Sequence, residues 1–243
     1  MLESLRRLLR RGPRPLDLSP LRTWADEHRC RFHVVHDGEG CWLERDIAHP
    51  AWRIEWGPSQ RDYITGPELR IIGEVGTPKD LTALVLTREL MALMEKRVFE
   101  QYVEDVQTRL DAETPPEMRW LVMYTKLASA DLGRLRDRYA ALASLKDWAH
   151  QWLGGSLNDA LFASLELVDD SQPMVLALAR GRLTLRTAMA DVESRRLAMW
   201  LTIFERAQSE AMRLSQEWQS SADCGCTTQP AAWPKSALSA EDD

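Results

Sequence analysis

The densest cluster of potential metal ligands lies between positions 28 and 41, in the stretch HRCRFHVVHDGEGC. Its candidate ligands are His28, Cys30, His33, His36 and Cys41. If residues 31 to 36 form a strand, His33 and His36 point to opposite faces. Cys30 and His36 share a face, but they lie about 20 Å apart at ~3.3 Å per residue. Four ligands then fail to converge at the roughly 2.0 to 2.3 Å that zinc requires, so we predict ordinary strand residues and no metal site.

A second pair of thiols, Cys224 and Cys226, flanks a single glycine near the carboxyl end. Because Gly225 lets both sulfur atoms turn to one side, the pair could chelate a soft metal or act as a dithiol. The alternative is that both are incidental thiols of a polar tail. We predict no cofactor for the chain and leave the function of this pair open.

The loop GPSQRDYITG, residues 57 to 66, contains Arg61, Asp62 and Tyr63. These residue types can bind a carboxylate, a phosphate or the backbone of a partner. Ten residues exceed a minimal hairpin connection, and long loops are more often functional than short ones. In the structural alternative, Arg61 and Asp62 are solvated while Tyr63 and Ile64 fix the loop to the sheet. The three residues are therefore a candidate ligand or partner site.

The opening stretch MLESLRRLLRR places Leu2, Leu5 and Leu9 on one helical stripe. Around that stripe lie Arg6, Arg7, Arg10 and Arg11. This arrangement suits an anionic membrane surface, but about eleven residues bury little apolar area. The corresponding function is weak, salt-sensitive binding at a membrane surface.

Catalytic motifs are absent from the sequence, which contains no phosphate-binding loop, GxGxxG turn, GxSxG elbow or HExxH helix. We also find no resemblance to a known family. The ten tryptophans are the most unusual feature of the composition, and tryptophan is a common anchor at protein interfaces. We therefore favour a non-enzymatic interaction or adaptor module that binds a protein partner or self-associates through an apolar helix face. The alternative to both this and the membrane function is a small-ligand binder or an enzyme whose site uses dispersed residues.

Charge is distributed unevenly along the 243 residues, which carry a formal net charge of -6. Residues 1 to 36 hold eight Arg and four acids, a net +4 that leaves -10 for the rest. A nucleic-acid partner is disfavoured by this balance. Because no apolar run approaches the ~20 residues of a membrane-spanning helix and no secretory signal is evident, we predict a cytoplasmic location with mostly free thiols.

Two-residue alternation in positions 31 to 75 predicts about four strands. Trp52, Ile54 and Trp56 fall on one face of the strand, opposite Arg53 and Glu55. The partner run, ELRII, alternates in the same way. An antiparallel pair of these runs buries its aromatic face and matches opposite charges across a solvated one, each pair contributing about 0.2 to 1 kcal/mol.

Two Thr-Pro signals predict helix starts, at TPKD (77 to 80) and TPPE (114 to 117). Each offers Thr as N-cap, Pro in the first turn and an acid three residues after the cap. The first predicts a helix to about residue 111. A further helix is predicted from about 131 to 153, ended by Gly154-Gly155.

The carboxyl-terminal half predicts a hairpin and then a long helix. Residues 174 to 179 and 183 to 189 flank the turn candidate Arg180-Gly181, and an amphipathic helix follows from about 191 to 219. The fold class is therefore α+β, an antiparallel sheet of hairpins packed against long helices. The strand-turn-strand-helix pattern occurs in both halves, which suggests two β-β-α halves with a helical insertion between them; chance similarity of the two patterns is the alternative. The segments are 1-18 (basic amphipathic), 19-112 (β-meander and long helix), 113-219 (helices, hairpin and final helix) and 220-243 (disordered tail).

Overall fold

The structure, a computed structural model, describes residues 16–35, 39–45, 51–103 and 114–223. The helices in chain order are α1 (Ser19–Glu27), α2 (Arg88–Val103), α3 (Pro116–Met123), a 3-10 helix (Ser129–Leu135), α4 (Lys146–Trp152), α5 (Gly155–Ser164) and α6 (Ser194–Asp223). The strands are β1 (Arg31–Val34), β2 (Cys41–Arg45), β3 (Trp52–Pro58), β4 (Pro67–Glu74), β5 (Thr82–Thr87), β6 (Thr125–Lys126), β7 (Tyr139–Ala143), β8 (Met174–Ala179) and β9 (Arg182–Ala188). The nine strands form one sheet in the order β1-β2-β3-β4-β9-β8-β5-β7-β6. Its strand pairs are antiparallel, which confirms the predicted α+β class.

The four strands predicted between residues 31 and 75 are present as β1 to β4. Trp52, Ile54 and Trp56 are buried on one face, as the alternation predicts. The Trp56 indole donates to the Met189 carbonyl oxygen at 2.8 Å, which ties β3 to the end of β9. Glu55 lies opposite Arg70 in the β3–β4 register, so the predicted cross-strand charge pairing is confirmed.

The prediction that this charged face is solvated holds for Arg53 and Glu74, which are exposed, but is wrong at the centre of β4. Arg70 is buried and Glu68 has no exposed surface. The reason is that the 59–66 loop lies over this part of the face, where Ser59 and the Gln60 backbone N–H bond to Glu68. Two-residue alternation identifies which side chains share a face but not what covers that face.

The prediction that a helix starts at TPKD is wrong. Residues 77 to 80 form a turn, in which the Leu81 N–H donates to the Pro78 carbonyl at 3.1 Å, and β5 follows before α2 begins at Arg88. All six β5 residues are buried, because apolar layers cover both faces of the strand: Ala83 and Val85 pack on one side of the sheet, and Leu84 and Leu86 on the other. A strand with both faces covered has no polar alternation, so its sequence does not distinguish it from a helix.

The helix predicted from 131 to 153 is also wrong, since the region holds the 3-10 helix, the buried strand β7 and α4. The start predicted at TPPE is nearly right, since α3 begins at Pro116, but its N-cap is Pro115 and no side chain caps it. The acid assigned to the cap, Glu117, is instead buried and bonds to Arg61.

The carboxyl-terminal prediction is confirmed in β8, β9 and α6. Arg180 and Gly181 connect the two strands with φ of 54° and 77°, the pair of positive φ angles typical of a tight hairpin turn. This hairpin shares the sheet with β3 and β4, because β4 pairs with β9. In the first half, however, β5 stands between the hairpin and its helix.

Two apolar clusters lie on the two faces of the sheet. The inner-face cluster joins the sheet to α1, α4, α5 and α6 and contains the fully buried Trp148, Trp152 and Trp200. The outer-face cluster joins β5, β7 and β8 to α2 and α3. Of the helices in the described ranges, none combines the length and apolar character needed to cross a membrane.

Several predicted features lie outside the described residues. They are Arg6, Arg7, Arg10 and Arg11, with His36, Cys224, Cys226 and the tail from residue 224 onward. The helix α6 continues to Asp223, slightly beyond the predicted end near residue 219.

Candidate functional site

The helices α2 and α3 cover the apolar half of the outer face. Leu90 and Met94 of α2 and Met118 and Leu121 of α3 pack on Leu84, Leu86, Ala140 and Leu142 of the sheet. This contact uses only one side of each helix.

The opposite sides of both helices expose large apolar side chains. Phe99 of α2 is 67% exposed, and Val122 and Met123 of α3 are 62% and 65% exposed. An open groove of about 310 Å³ runs between the helices, lined by Glu95, Val98, Phe99, Leu121 and Val122. We call these five lining residues the α2–α3 surface. Four of the five are apolar, and two of these, Phe99 and Val122, are well exposed; exposed apolar side chains that lie together are typical of interaction sites.

Three ion pairs within the described residues lie beside the α2–α3 surface. Glu95 bonds to Lys126, and Lys96 lies 3.8 Å from Glu100 on the next helical turn. Arg97 bonds to Asp62 of the 59–66 loop. Each of these three pairs joins one acid to one base.

The predicted recognition loop clasps these two helices. Arg61 donates from Nε to the Glu117 carboxylate of α3 at 3.3 Å, and Asp62 pairs with Arg97 of α2. Tyr63 and Ile64 are buried in the outer-face cluster. The predicted anchoring of the loop by Tyr63 and Ile64 is therefore confirmed. Arg61 is mostly buried in its ion pair with Glu117, whereas Asp62 is paired with Arg97 and stays largely exposed, as predicted.

The surroundings of the 59–66 loop change the pKa values of Arg61 and Tyr63. Although burial acts to lower it, the adjoining Glu117 carboxylate raises the pKa of the Arg61 guanidinium. Burial, with a further contribution from Glu117, raises the pKa of Tyr63 above its ordinary value. The Tyr63 hydroxyl is buried and has no hydrogen-bond partner within bonding geometry. The phenol is thus kept neutral in the fold.

The Arg61–Glu117 pair is one end of a series of ion pairs that crosses the charged half of the outer face. We call it the ion-pair chain, and its members in order are Arg31, Glu44, Arg53, Glu55, Arg70, Glu68, Arg186, Glu117 and Arg61. It begins on β1, crosses β2, β3, β4 and β9, and ends at the loop. Opposite charges alternate at every step.

The buried end of the ion-pair chain centres on Glu68. Its Oε1 accepts from Arg186 Nη1 at 2.5 Å, and its Oε2 accepts from the Gln60 backbone N–H at 2.7 Å. Arg70 Nη1 lies 3.5 Å from the same carboxylate. Because charge-assisted bonds of this kind are strong and directional, the chain fixes the loop on the sheet and, through Glu117, fixes α3.

The sequence cluster of His and Cys residues is dispersed among aromatic contacts. His28 stacks on Trp24 and His33 on Trp42, each with ring centroids 4.0 Å apart. Burial raises the pKa of the Cys41 thiol to about 12, which disfavours the thiolate that binds metals. Within the described parts of the chain, no group of three or more His, Cys, Asp or Glu residues is placed to hold a metal ion.

Sequence reasoning missed Phe99, Val122, Glu68 and Glu117. A signal for Val122 exists in α3, PEMRWLVM, which contains more apolar residues than one buried face can use. For the two glutamates no local signal exists, because their partners lie in distant segments. Arg61 and Glu117 are 56 positions apart in the sequence.

No protein-family model matches this chain, and no curated protein matches it. Its structure is similar to the crystal structure of the mycobacterial trehalose monomycolate transport factor A, TtfA, with a TM-score of 0.45 and 7% sequence identity. The similarity covers 78% of this chain and 90% of that one. A likeness this distant carries no inference about function or partners.

Proposed function

We propose that the protein is a non-enzymatic interaction module that binds a protein partner through the α2–α3 surface. The observation that carries the proposal is the exposure of Phe99 and Val122 beside an open apolar groove. Covering exposed apolar groups with a partner stabilises the complex by roughly 25 cal/mol per Å² of apolar surface removed from water. Aromatic side chains that enter a partner's pocket commonly dominate binding energy.

The anchoring of the two helices supports the same function. A binding surface gains affinity when it is ordered before the partner arrives, because less conformational entropy is lost on association. Here the loop pairs with α2 through Asp62 and with α3 through Arg61. The apolar surface is therefore held in place by contacts that a partner does not need to supply.

The form of the groove favours a macromolecular partner over a small ligand. Small-molecule sites are usually clefts of roughly 300–1,000 Å³ that bury most of the ligand and offer a few oriented polar groups. This groove has about 310 Å³ and is open to solvent, and Glu95, its one charged lining residue, is paired with Lys126. Such a groove suits side chains of a protein surface, as in helix-in-groove recognition.

A photo-crosslinking amino acid at position 99 tests the proposal in living cells. With benzoylphenylalanine in place of Phe99, we expect ultraviolet light to produce a covalent protein adduct. The matched control carries the same amino acid at Phe162, which is exposed on α5 and has Arg134 over its ring. We expect no equivalent adduct there. The proposal fails if position 99 gives no protein adduct, or gives lipid adducts alone.

The cytoplasmic location predicted from the sequence belongs to the same proposal. Free thiols at Cys30 and Cys41 support it, because reducing compartments keep thiols unpaired.

A further inference from the structure

We draw no further inference here: the strongest candidate, the open apolar groove between α2 and α3, carries nothing beyond the proposed function, because nothing in the structure shows what covers it.

Discussion

The outer face of the sheet is built in two different ways on either side of the junction between β9 and β8. On the β8, β5 and β7 side, the outward residues include Leu84, Leu86 and Leu142, and α2 and α3 pack over them. On the β1 to β4 and β9 side, the outward residues include Glu55, Arg70 and Arg186, which belong to the ion-pair chain.

The two halves satisfy the same physical requirement by different means. Exposing an apolar strand face to water is unfavourable in free energy. The apolar half is therefore stable only when its two helices cover it. A charged face needs partners for its charges rather than a cover, and neighbouring strands supply these laterally. Within the described residues, the difference explains why α2 and α3 lie over the apolar half of the outer face.

The 59–66 loop connects the charged half of the outer face to the apolar half. Arg61 ends the ion-pair chain at Glu117 of α3, whereas Tyr63 and Ile64 enter the apolar cluster. The position of the apolar cover therefore depends on charged residues across the junction, and each substitution below tests one part of this dependence.

Glu68→Ala should have the largest effect. It removes the acceptor of Arg186 and of the Gln60 backbone N–H and leaves buried guanidinium charge without its partner. Breaking a buried ion pair on one side costs about 3–5 kcal/mol, and we expect a loss of this size in the free energy of unfolding. Urea denaturation followed by tryptophan fluorescence measures it.

Two reference variants are compared with Glu68→Ala for their loss in the free energy of unfolding. Glu74→Ala changes the same strand at an ion pair whose two side chains are mostly exposed, with Arg182, and should cost at most about 1 kcal/mol. Leu86→Ala empties a buried site in the apolar half and should cost about 2–5 kcal/mol. If Glu68→Ala costs no more than Glu74→Ala, the ion-pair chain does not stabilise its half of the sheet.

The sequence predicts the elements whose local period matches a single buried face. Trp52, Ile54 and Trp56 alternate with charged residues, and the apolar stripe of α6 repeats at helical spacing, so both were assigned correctly. The Arg180-Gly181 turn was also readable, because few residue pairs accept two positive φ angles.

The sequence did not predict elements that are buried on all sides. Both β5 and β7 are completely buried and lack a polar face, so their apolar runs were assigned to helices. Thr77-Pro78 added to the error, since a Thr-Pro pair starts turns as well as helices.

The candidate site was predictable only in part. Arg61 and Tyr63 were selected for their residue types and the length of their loop, and the structure shows them engaged with α3 and the apolar cluster. The exposed Phe99 gave no separate signal, because a helix with apolar residues on several sides does not reveal which side the sheet will cover.

Tyr63→Phe should have a smaller effect of the opposite sign. It removes a buried hydroxyl that lies near the Arg61 guanidinium without a well-formed hydrogen bond to it, so we expect the free energy of unfolding at pH 7 to stay unchanged or to rise by up to about 1 kcal/mol. A loss above 1 kcal/mol would mean that the hydroxyl has a partner, such as a bound water molecule.

The same variant predicts a change at alkaline pH. Burial raises the pKa of Tyr63 in the folded state, so the fold binds the phenolic proton more tightly than the unfolded chain does. This contribution is fully present below the unfolded pKa of about 10 and is lost as the pH rises above it. Urea unfolding from pH 9 to 11 should show a shallower decline for Tyr63→Phe than for wild type.

Glu44→Ala should have the smallest effect, at the exposed end of the ion-pair chain. Glu44 bridges Arg31 and Arg53, whose side chains are about half exposed, and water takes over much of each lost interaction. We expect a loss of about 0–1 kcal/mol that disappears in 1 M salt, where the screening length is roughly 3 Å. The loss in Glu68→Ala should persist at that salt concentration, because its partners are largely buried. Equal salt sensitivity of the two variants would contradict a chain that changes from solvated to buried as it approaches the loop. It would also remove the reason for assigning the positioning of α3 to its inner end.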